Sequence, residues 1–185
     1  RHGARCVGRA ATARRGLGTH HRRRPPRLAG QVLETGALAR QLAQGQPLLR
    51  ALWQRSRGNV FTRVLARAME LAQLVLLAQD CLRAIVPGAP CCEEAHLPEA
   101  VDAVGLCEAA RGSLGHWLSI RGGRIASYQI VAPTGWNFSP RDHAGTPGAL
   151  EAALVGAPVL AGETSPVAVQ HIVRSFDPCM VCTVH

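Results

Sequence analysis

The longest regular hydrophobic pattern in the chain runs from about Val60 to Ile85. Asn59 stands where its side chain can cap the first turn of a helix. From Leu74 to Ala78 the sequence is apolar almost all round, as in a helix at the centre of a bundle. The segment is too short and too interrupted for a membrane span. The apolar residues that recur at helical spacing are Phe61, Val64, Leu65, Ala68, Ala72, Val75 and Leu82.

A connection and a small β element follow this helix. The sequence at positions 87–94, Pro-Gly-Ala-Pro-Cys-Cys-Glu-Glu, is typical of a surface loop. Two runs, 114–120 and 124–132, then flank the pair Gly122-Gly123. Two glycines between such runs favour a tight antiparallel hairpin.

Two more helices have start signals of their own. Thr146 precedes Pro147, and Ser165 precedes Pro166. Each pair places a capping residue before a proline at the first helical position. We therefore expect one helix to begin at each pair.

The same pattern predicts where these helices end. Gly156 is expected to close the first, and the second is expected to reach about Phe176, because Pro178 prevents its continuation. The chain is therefore predicted to be mainly α (α+β). We expect a helical bundle with a small antiparallel β-hairpin or sheet.

Basic residues are concentrated at the start of the chain. The 21 Lys and Arg and 12 Asp and Glu give a formal charge of +9. All the basic residues are arginines, nine of them lie at or before Arg27, and the first acid is Glu34. A basic arm ordinarily suggests nucleic acid or an anionic membrane. This arm has no aromatic residue, no Lys and no amphipathic period, so we expect no nucleic-acid partner.

The same arginines suggest how the chain is divided. No apolar run follows them, so residues 1–24 are not expected to form a signal peptide. We expect this basic segment to be disordered or non-native. Residues 25–185 have the apolar content of a globular domain, or part of one.

The last nine residues, Asp-Pro-Cys-Met-Val-Cys-Thr-Val-His, carry the candidate chemistry. Cys179 and Cys182 are spaced so that both thiolates can turn toward one soft metal ion. Haem attachment would need a histidine where Thr183 stands. A thioredoxin-like dithiol would need a helix after Cys182, where only three residues follow.

Two other interpretations of the cysteines stay open. Zinc needs four ligands, and Cys91, Cys92 or His96 could complete a set with the terminal residues. Alternatively, Cys179 and Cys182 are two buried thiols that act as small hydrophobic residues, the commonest role of such a pair. That interpretation leaves the preceding Asp-Pro and the terminal histidine unexplained.

Several sequence blocks, in the same order, resemble the large, catalytic subunit of nickel-iron hydrogenases. The blocks are Asp-Pro-Cys-x-x-Cys-x-x-His at 177–185, Arg-Gly-Ser-Leu-Gly-His-Trp at 111–117, Tyr-Gln-Ile-Val-Ala-Pro-Thr-Gly-Trp-Asn-Phe-Ser-Pro-Arg-Asp at 128–142, and shorter stretches at 26–30, 34–40 and 58–61. The likeness covers roughly Pro25 to the end and leans toward the uptake or hydrogen-sensing branch. It implies an incomplete domain of the large-subunit fold.

The resemblance also implies what this sequence lacks. The family carries a first Arg-x-Cys-Gly-x-Cys pair near the start of the subunit, and no such pair occurs here. We therefore expect the C-terminal part of the subunit, which supplies half of the protein thiolates. Alone, it is not expected to hold a nickel-iron centre.

Roles for the two cysteines and for two charged residues follow from the resemblance. Cys179 matches a terminal nickel thiolate that is a candidate proton acceptor in heterolytic cleavage of dihydrogen, and Cys182 matches a thiolate that bridges nickel and iron. Arg111 matches the guanidinium over the open metal position, and Asp177 matches a carboxylate near the site. The plainer alternative is that Arg111 and Asp177 form a structural ion pair.

Four more residues have roles implied in the same way. Pro133 and Thr134 match the pair that lines the cyanide and carbon monoxide ligands of the iron. His185 matches a ligand of a structural magnesium or iron ion, with the carbonyl of Ile130 as co-ligand. The plainer alternative for Thr134 is a bond to its own backbone in a turn.

The resemblance finally implies an oxidoreductase that acts on dihydrogen and passes electrons to an iron-sulfur small subunit. The chain itself is expected to have no transmembrane segment, and to be cytoplasmic or membrane-associated through partner subunits. Two alternatives from other classes remain, a small zinc-binding module and an inactive remnant of a hydrogenase.

Overall fold

The computed structural model describes residues 26–90, 92, 96 and 98–179. The expectations for residues 1–24, Cys91, Cys182 and His185 lie outside these ranges. Within them the chain forms α1 (Ala37–Ala43), α2 (Pro47–Ser56), α3 (Val60–Ala84), β1 (Ala100–Ala109), β2 (Gly112–Arg121), β3 (Arg124–Val131), α4 (Pro133–Asn137), α5 (Ala149–Leu154) and α6 (Val167–Ser175). The predicted mainly helical architecture with a small antiparallel sheet is confirmed.

The long helix α3 begins where the capping signal predicts. The Asn59 side chain accepts a hydrogen bond from the Thr62 amide at 3.0 Å, and the Thr62 hydroxyl accepts one from the Asn59 amide at 2.9 Å. This reciprocal pair satisfies two donors that the first turn otherwise leaves without partners. The helix ends at Ala84, one residue before the predicted end.

Two compact units make up the chain, and unit 2 consists of residues 37–105 and 116–130. Its core joins α1, α2 and α3 through the buried side chains of Ala37, Leu38, Leu49 and Ala66. Beside this core, Arg40 forms a two-point ion pair with Glu70, with N–O distances of 2.8 and 2.7 Å. Residues 71–90 are all exposed.

The sheet has three strands in the order β1-β2-β3, so the predicted hairpin is present and has a third strand beside it. The tight turn falls at Gly122-Gly123, where both φ angles are positive, at +59° and +68°. Asp102 of β1 accepts hydrogen bonds from Ser119 and Arg121 of β2. Cross-strand polar pairs of this kind stabilise a strand with little apolar content.

Unit 1, within the described ranges, consists of residues 26–36, 106–115 and 131–179. Its helices α5 and α6 differ from the prediction at their starts. The first begins at Ala149 rather than at Pro147, with Gly148 at the cap, and the second has Pro166 rather than Ser165 at the cap. Their ends agree better, because α5 stops two residues before Gly156 and α6 stops just before Phe176.

The start of α6 differs because another side chain supplies the capping hydrogen bonds. The Glu163 carboxylate accepts from the Val167 amide at 2.7 Å and from the Leu160 amide at 3.1 Å. Ser165 instead accepts from the Gln170 side chain. A carboxylate at a helix N-terminus is favoured by the helix dipole as well as by the hydrogen bond.

Within residues 26–90, 92, 96 and 98–179, no α-helix is both long enough and apolar enough to cross a membrane.

Candidate metal centre

Arg111 lies in the tight connection from β1 to β2, and Gly112 is the first residue of β2. Gly112 has φ +135°, a conformation that residues with a side chain rarely adopt. A Cβ atom there would also lie 2.9 Å from the Gly36 amide nitrogen, closer than real Cβ atoms approach. The turn that carries Arg111 therefore requires glycine on two independent grounds.

The peptide of Thr35 and Gly36 forms the surface against which this turn rests. Gly36 has φ +128°, and a Cβ atom there would meet the Arg111 carbonyl oxygen at 3.3 Å. The Thr35 hydroxyl lies directly against Gly112, and it is buried with no hydrogen-bond partner among the described residues. Two glycines thus allow two backbone segments that are far apart in the sequence to touch.

Asn137, the last residue of α4, holds Thr35 from another direction. Its side chain accepts from the Thr35 amide at 2.9 Å and donates to the Thr35 carbonyl at 3.0 Å. Asn137 is only 2% exposed, so water cannot replace either bond. Each such bond contributes about 1 kcal/mol, and leaving either group unpaired costs about 1–3 kcal/mol.

Two aromatic rings join the end of α4 to the end of α6. Phe138 directly follows α4, and Phe176 directly follows α6. Their rings meet edge to face, with centroids 6.3 Å apart and an angle of 73° between the planes. Phe176 is buried, so this contact fixes where the chain leaves α6.

The chain turns sharply immediately after Phe176. Asp177 has φ +53°, in the left-handed region, and its amide bonds back to the Arg174 carbonyl at 3.0 Å. Aspartate is among the few residues with a side chain that enter this region readily. Pro178 then prevents any further helical turn. Cys179 follows, a half-buried thiol.

The side chains of Arg111 and Asp177 meet and close a ring of contacts. Arg111 Nε lies 3.5 Å from Asp177 Oδ1. Starting from Arg111, the ring runs through Gly112, the peptide 35–36, Asn137 and the pair of phenylalanines to Asp177. Every step lies within unit 1, so the arginine is held against a residue two positions before Cys179.

Helix α4 also carries Pro133 and Thr134, so the ring passes along the helix on which they lie. Pro133 is the first residue of this short helix, where its missing N–H is no loss. The Thr134 carbonyl accepts from the Phe138 amide at 2.9 Å. Both predicted residues are half-buried.

Not every residue of the predicted site lies among the described residues of unit 1. Ile130 is the penultimate residue of β3 and belongs to unit 2. Cys182 and His185 lie outside the described residues. Within residues 26–90, 92, 96 and 98–179, no three His, Cys, Asp or Glu side chains group as a metal site would require. The zinc interpretation and the two-metal interpretation both depend on the terminal residues.

Fixed amide donors lower the pKa of two carboxyl groups in unit 1. The hydrogen bond from the Thr146 amide is the largest cause of the lowered pKa of Asp142, and a bond from the Ala144 amide lowers it further. Hydrogen bonds from the Val167 and Leu160 amides lower the pKa of Glu163. Each carboxylate organises a loop beside α5 or α6.

Thr35, Gly36 and Asn137 lie within blocks that resemble the hydrogenase family, but the sequence alone assigns them no role. Their contacts join positions 102 residues apart, which spacing along the chain cannot show. Arg27 was missed for the same reason, and it donates to the Ser139 hydroxyl and to the Pro140 carbonyl, each at 3.0 Å. One signal in the sequence could have pointed to Asn137. It directly follows Trp136, so its polar side chain is expected among apolar ones and needs hydrogen-bond partners there.

The sequence of this chain is similar to those of known hydrogenase large subunits. The periplasmic [NiFeSe] hydrogenase large subunit of Desulfomicrobium baculatum is 36% identical over 177 residues, covering 86% of this chain and 34% of that protein. The uptake hydrogenase large subunit of Rhizobium leguminosarum bv. viciae is 47% identical over 88 residues, covering 48% of this chain and 15% of that one.

Solved structures give the same result. The H2-activated [NiFeSe]-hydrogenase of Dm. baculatum superposes with a TM-score of 0.74 at 37% identity, covering 86% of this chain and 36% of that chain. The Ni-Fe-Se hydrogenase from D. vulgaris Hildenborough in the reduced state gives a TM-score of 0.73 at 35% identity, covering 86% of this chain and 37% of that chain. The chain thus spans about a third of the length of these relatives.

A family model described as "Nickel-dependent hydrogenase" matches residues 21–185, which is most of the chain. The match includes Arg111, Asn137 and Asp177 of the contact ring and both terminal cysteines. This chain therefore belongs to the nickel-dependent hydrogenase family.

Proposed function

We propose that this chain is the C-terminal part of the catalytic subunit of a nickel-iron hydrogenase, an oxidoreductase that cleaves dihydrogen into protons and electrons. The observation that carries the proposal is the ring of contacts that holds Arg111 against Asp177, two residues before Cys179. A positive group at this place suits a site where thiolates and small anions gather. The family match supports the same assignment.

Cys179 and Cys182 are the residues that would hold the nickel-iron centre through their thiolates. Thiolates are the soft ligands that suit such a centre, and Cys179 is a thiol. When bound, the metal centre would polarise dihydrogen and take the electron pair of the broken H–H bond. The Cys179 thiolate would take the proton at its sulfur atom.

Arg111 contributes charge and orientation rather than proton transfer. A guanidinium stays protonated throughout the working pH range, so it is a poor base. Asp177 holds the Nε edge of the guanidinium at 3.5 Å and leaves other donors of the fork to face the reacting atoms. We assign Asp177 to orienting Arg111.

Pro133 and Thr134 are proposed to line the cyanide and carbon monoxide ligands of the iron. Pro133 has no N–H, so it presents an apolar wall, and the Thr134 hydroxyl can donate to a cyanide nitrogen. His185 and the carbonyl of Ile130 are proposed to bind a magnesium or iron ion. Oxygen is the ligand that magnesium prefers, which suits the carbonyl better than the imidazole.

The proposed partner is a small subunit with iron-sulfur clusters, which would carry the electrons away. A location in the cytoplasm or at a membrane would follow from such partner subunits. The relatives are named as large subunits, which implies a complex of at least two chains.

The proposal is tested by producing the chain together with a polypeptide that supplies the first cysteine pair and with a small subunit. We expect nickel and iron in the purified complex. Cys179→Ser and Cys182→Ser should each remove nearly all the nickel, because each loses a thiolate. The matched control is Cys107→Ser, which changes an exposed thiol on β1. Equal nickel in all three variants would overturn the proposal.

The chain produced alone distinguishes the zinc alternative. A zinc module would bind about one zinc per chain without any other polypeptide, and would lose it when its further ligand among Cys91, Cys92 and His96 is replaced. A hydrogenase subunit would be indifferent to all three replacements. An inactive remnant would retain neither metal, even in the complex.

A further inference from the structure

We infer that Asn137 is a positioning residue that sets the place of Arg111 through the peptide of Thr35 and Gly36. This inference rests on the proposed function, because it assigns Asn137 a task only if Arg111 serves the metal site. Asn137 would touch neither substrate nor metal. Its effect passes through backbone contacts.

The hydrogen bonds of Asn137 are specific to an amide of this length. The side chain accepts from the Thr35 amide at 2.9 Å and donates to the Thr35 carbonyl at 3.0 Å, as a neighbouring β-strand would. Leucine has neither function, and an ionised aspartate can accept but cannot donate. The residue is 2% exposed, so the lost partner is not replaced by water.

The held peptide is in turn the support of the Arg111 turn. A Cβ atom on Gly112 would lie 2.9 Å from the Gly36 nitrogen, and one on Gly36 would lie 3.3 Å from the Arg111 oxygen. With spacing this tight, a displacement of residues 35–36 toward the turn must move Arg111 and Gly112. The guanidinium would then lose its approach to Asp177.

The ion pair cannot replace this support. Arg111 and Asp177 meet at 3.5 Å, and their side chains are 47% and 38% exposed. Exposed pairs at that distance are weak and are screened by salt. The buried bonds of Asn137 are therefore the stronger restraint on the arginine.

The test is an NMR experiment on the full chain labelled with 15N-glycine. The amide signals of Gly36 and Gly112 report on the contact between residues 35–36 and the Arg111 turn. The signals of Gly45 and Gly88 serve as internal references. Asn137→Asp is the informative variant. Burial raises the pKa of an aspartate, so lowering the pH from about 8 to about 5 restores a proton that can be donated to the Thr35 carbonyl. The protonated form reproduces both hydrogen bonds.

We expect Asn137→Asp to shift the Gly36 and Gly112 signals by several linewidths at the higher pH and to return them toward their wild-type positions at the lower one. Asn137→Leu should shift them at both pH values. Gln73→Glu is the matched amide-to-acid control, because Gln73 only accepts a hydrogen bond, from Gln41. It should leave both signals in place.

Unmoved Gly36 and Gly112 signals in Asn137→Asp at the higher pH would overturn the inference. Loss of the whole dispersed spectrum there would also overturn it, since it would make Asn137 a residue of general stability. If Asn137→Leu does not fold, the two pH values of Asn137→Asp still decide the question. None of these signals depends on nickel, so a complex without metal would refute the proposed function and leave this result standing.

Discussion

The Arg111 guanidinium and the Asp177 carboxylate are both more than a third exposed, with 3.5 Å between Nε and Oδ1. An exposed pair of this kind contributes about 0–1 kcal/mol to stability. The two hydrogen bonds between Asn137 and Thr35 contribute about 1 kcal/mol each and are costly to break. At the scale of single residues, buried hydrogen bonds and glycine contacts therefore determine the geometry, and the ion pair only completes it.

Arg111→Lys tests whether the fork of the guanidinium matters as well as its charge. A lysine keeps the charge but not the planar donors, so the site would lose directed hydrogen bonds. We expect hydrogen oxidation by the assembled complex to fall roughly 10²-fold, as when one fixed donor is removed from other active sites. Nickel content should not change.

The matched control for this substitution is Arg83→Lys. Arg83 also forms an ion pair, with Asp80 at 2.8 Å, but on the exposed surface of α3. Its replacement should leave the rate within about twofold, since surface pairs contribute little. Equal losses in the two variants would show that Arg111 has no special place.

Gly112→Ala tests the close approach of the two backbone segments. The new methyl group would collide with Thr35 and would require a backbone conformation that costs about 1–3 kcal/mol before any collision is counted. We expect urea unfolding to show a loss of at least that size. Gly105→Ala, in the same sheet, has open space and an ordinary φ. It should change stability by less than about 1 kcal/mol, and an equal loss in both would contradict the packing described.

At the scale of elements, local signals predicted α3 well and β1 not at all. The start of α3 depends on Asn59 and Thr62, three positions apart, so the capping bonds are visible in the sequence. Strand β1, Ala-Val-Asp-Ala-Val-Gly-Leu-Cys-Glu-Ala, has few β-formers and is mostly exposed. It is a strand because it pairs with β2, supported by Asp102 bonds to Ser119 and Arg121, and no local pattern shows this pairing.

The candidate site divides in the same way. The motif residues Arg111, Thr134 and Asp177 were found from their blocks, because each stands in a recognisable run of sequence. The residues that hold them, Thr35 and Asn137, are joined by bonds across 102 positions. The amino-acid sequence shows which chemical groups are available but not which backbone segments touch in the fold.

Glu163 gives helix α6 a predicted dependence on pH. Bonds from the Val167 and Leu160 amides lower its pKa from the ordinary 4.5. A carboxyl group with a lowered pKa stabilises the fold fully above its ordinary pKa and loses this contribution as the pH falls through the lowered value. Wild type should therefore exceed Glu163→Gln in unfolding free energy at about pH 7, and the difference should vanish in acid well below the ordinary pKa.

Urea unfolding at both pH values measures this difference. Glu99→Gln is the control, because Glu99 is exposed and its bond to Gly123 uses a backbone oxygen. That variant should match wild type at both pH values. A Glu163→Gln difference that persists unchanged in acid would show that the side-chain shape, rather than its charge, holds the start of α6.

At the scale of the whole molecule, the distal part of α3 and the residues just after it expose many large apolar side chains. Residues 71–90 are all exposed, and the large hydrophobic side chains among them are Leu71, Leu74, Val75, Leu76, Leu77, Leu82, Ile85 and Val86. Contiguous apolar surface of this kind mediates association with other proteins. We expect the chain, studied without partners, to associate with itself, and the association to strengthen in ammonium sulfate.

Leu74→Glu with Leu77→Glu tests this prediction, because the two residues lie one helical turn apart on α3 and are 52% and 55% exposed. Covering each leucine contributes about 1.5–3 kcal/mol, so sedimentation velocity should show association weakened at least about tenfold. The control is Val155→Glu with Val159→Glu, which adds the same charge at two exposed loop positions. If both pairs weaken association equally, added charge is the cause and α3 is not the contact. If neither does, the apolar surface of α3 does not drive association.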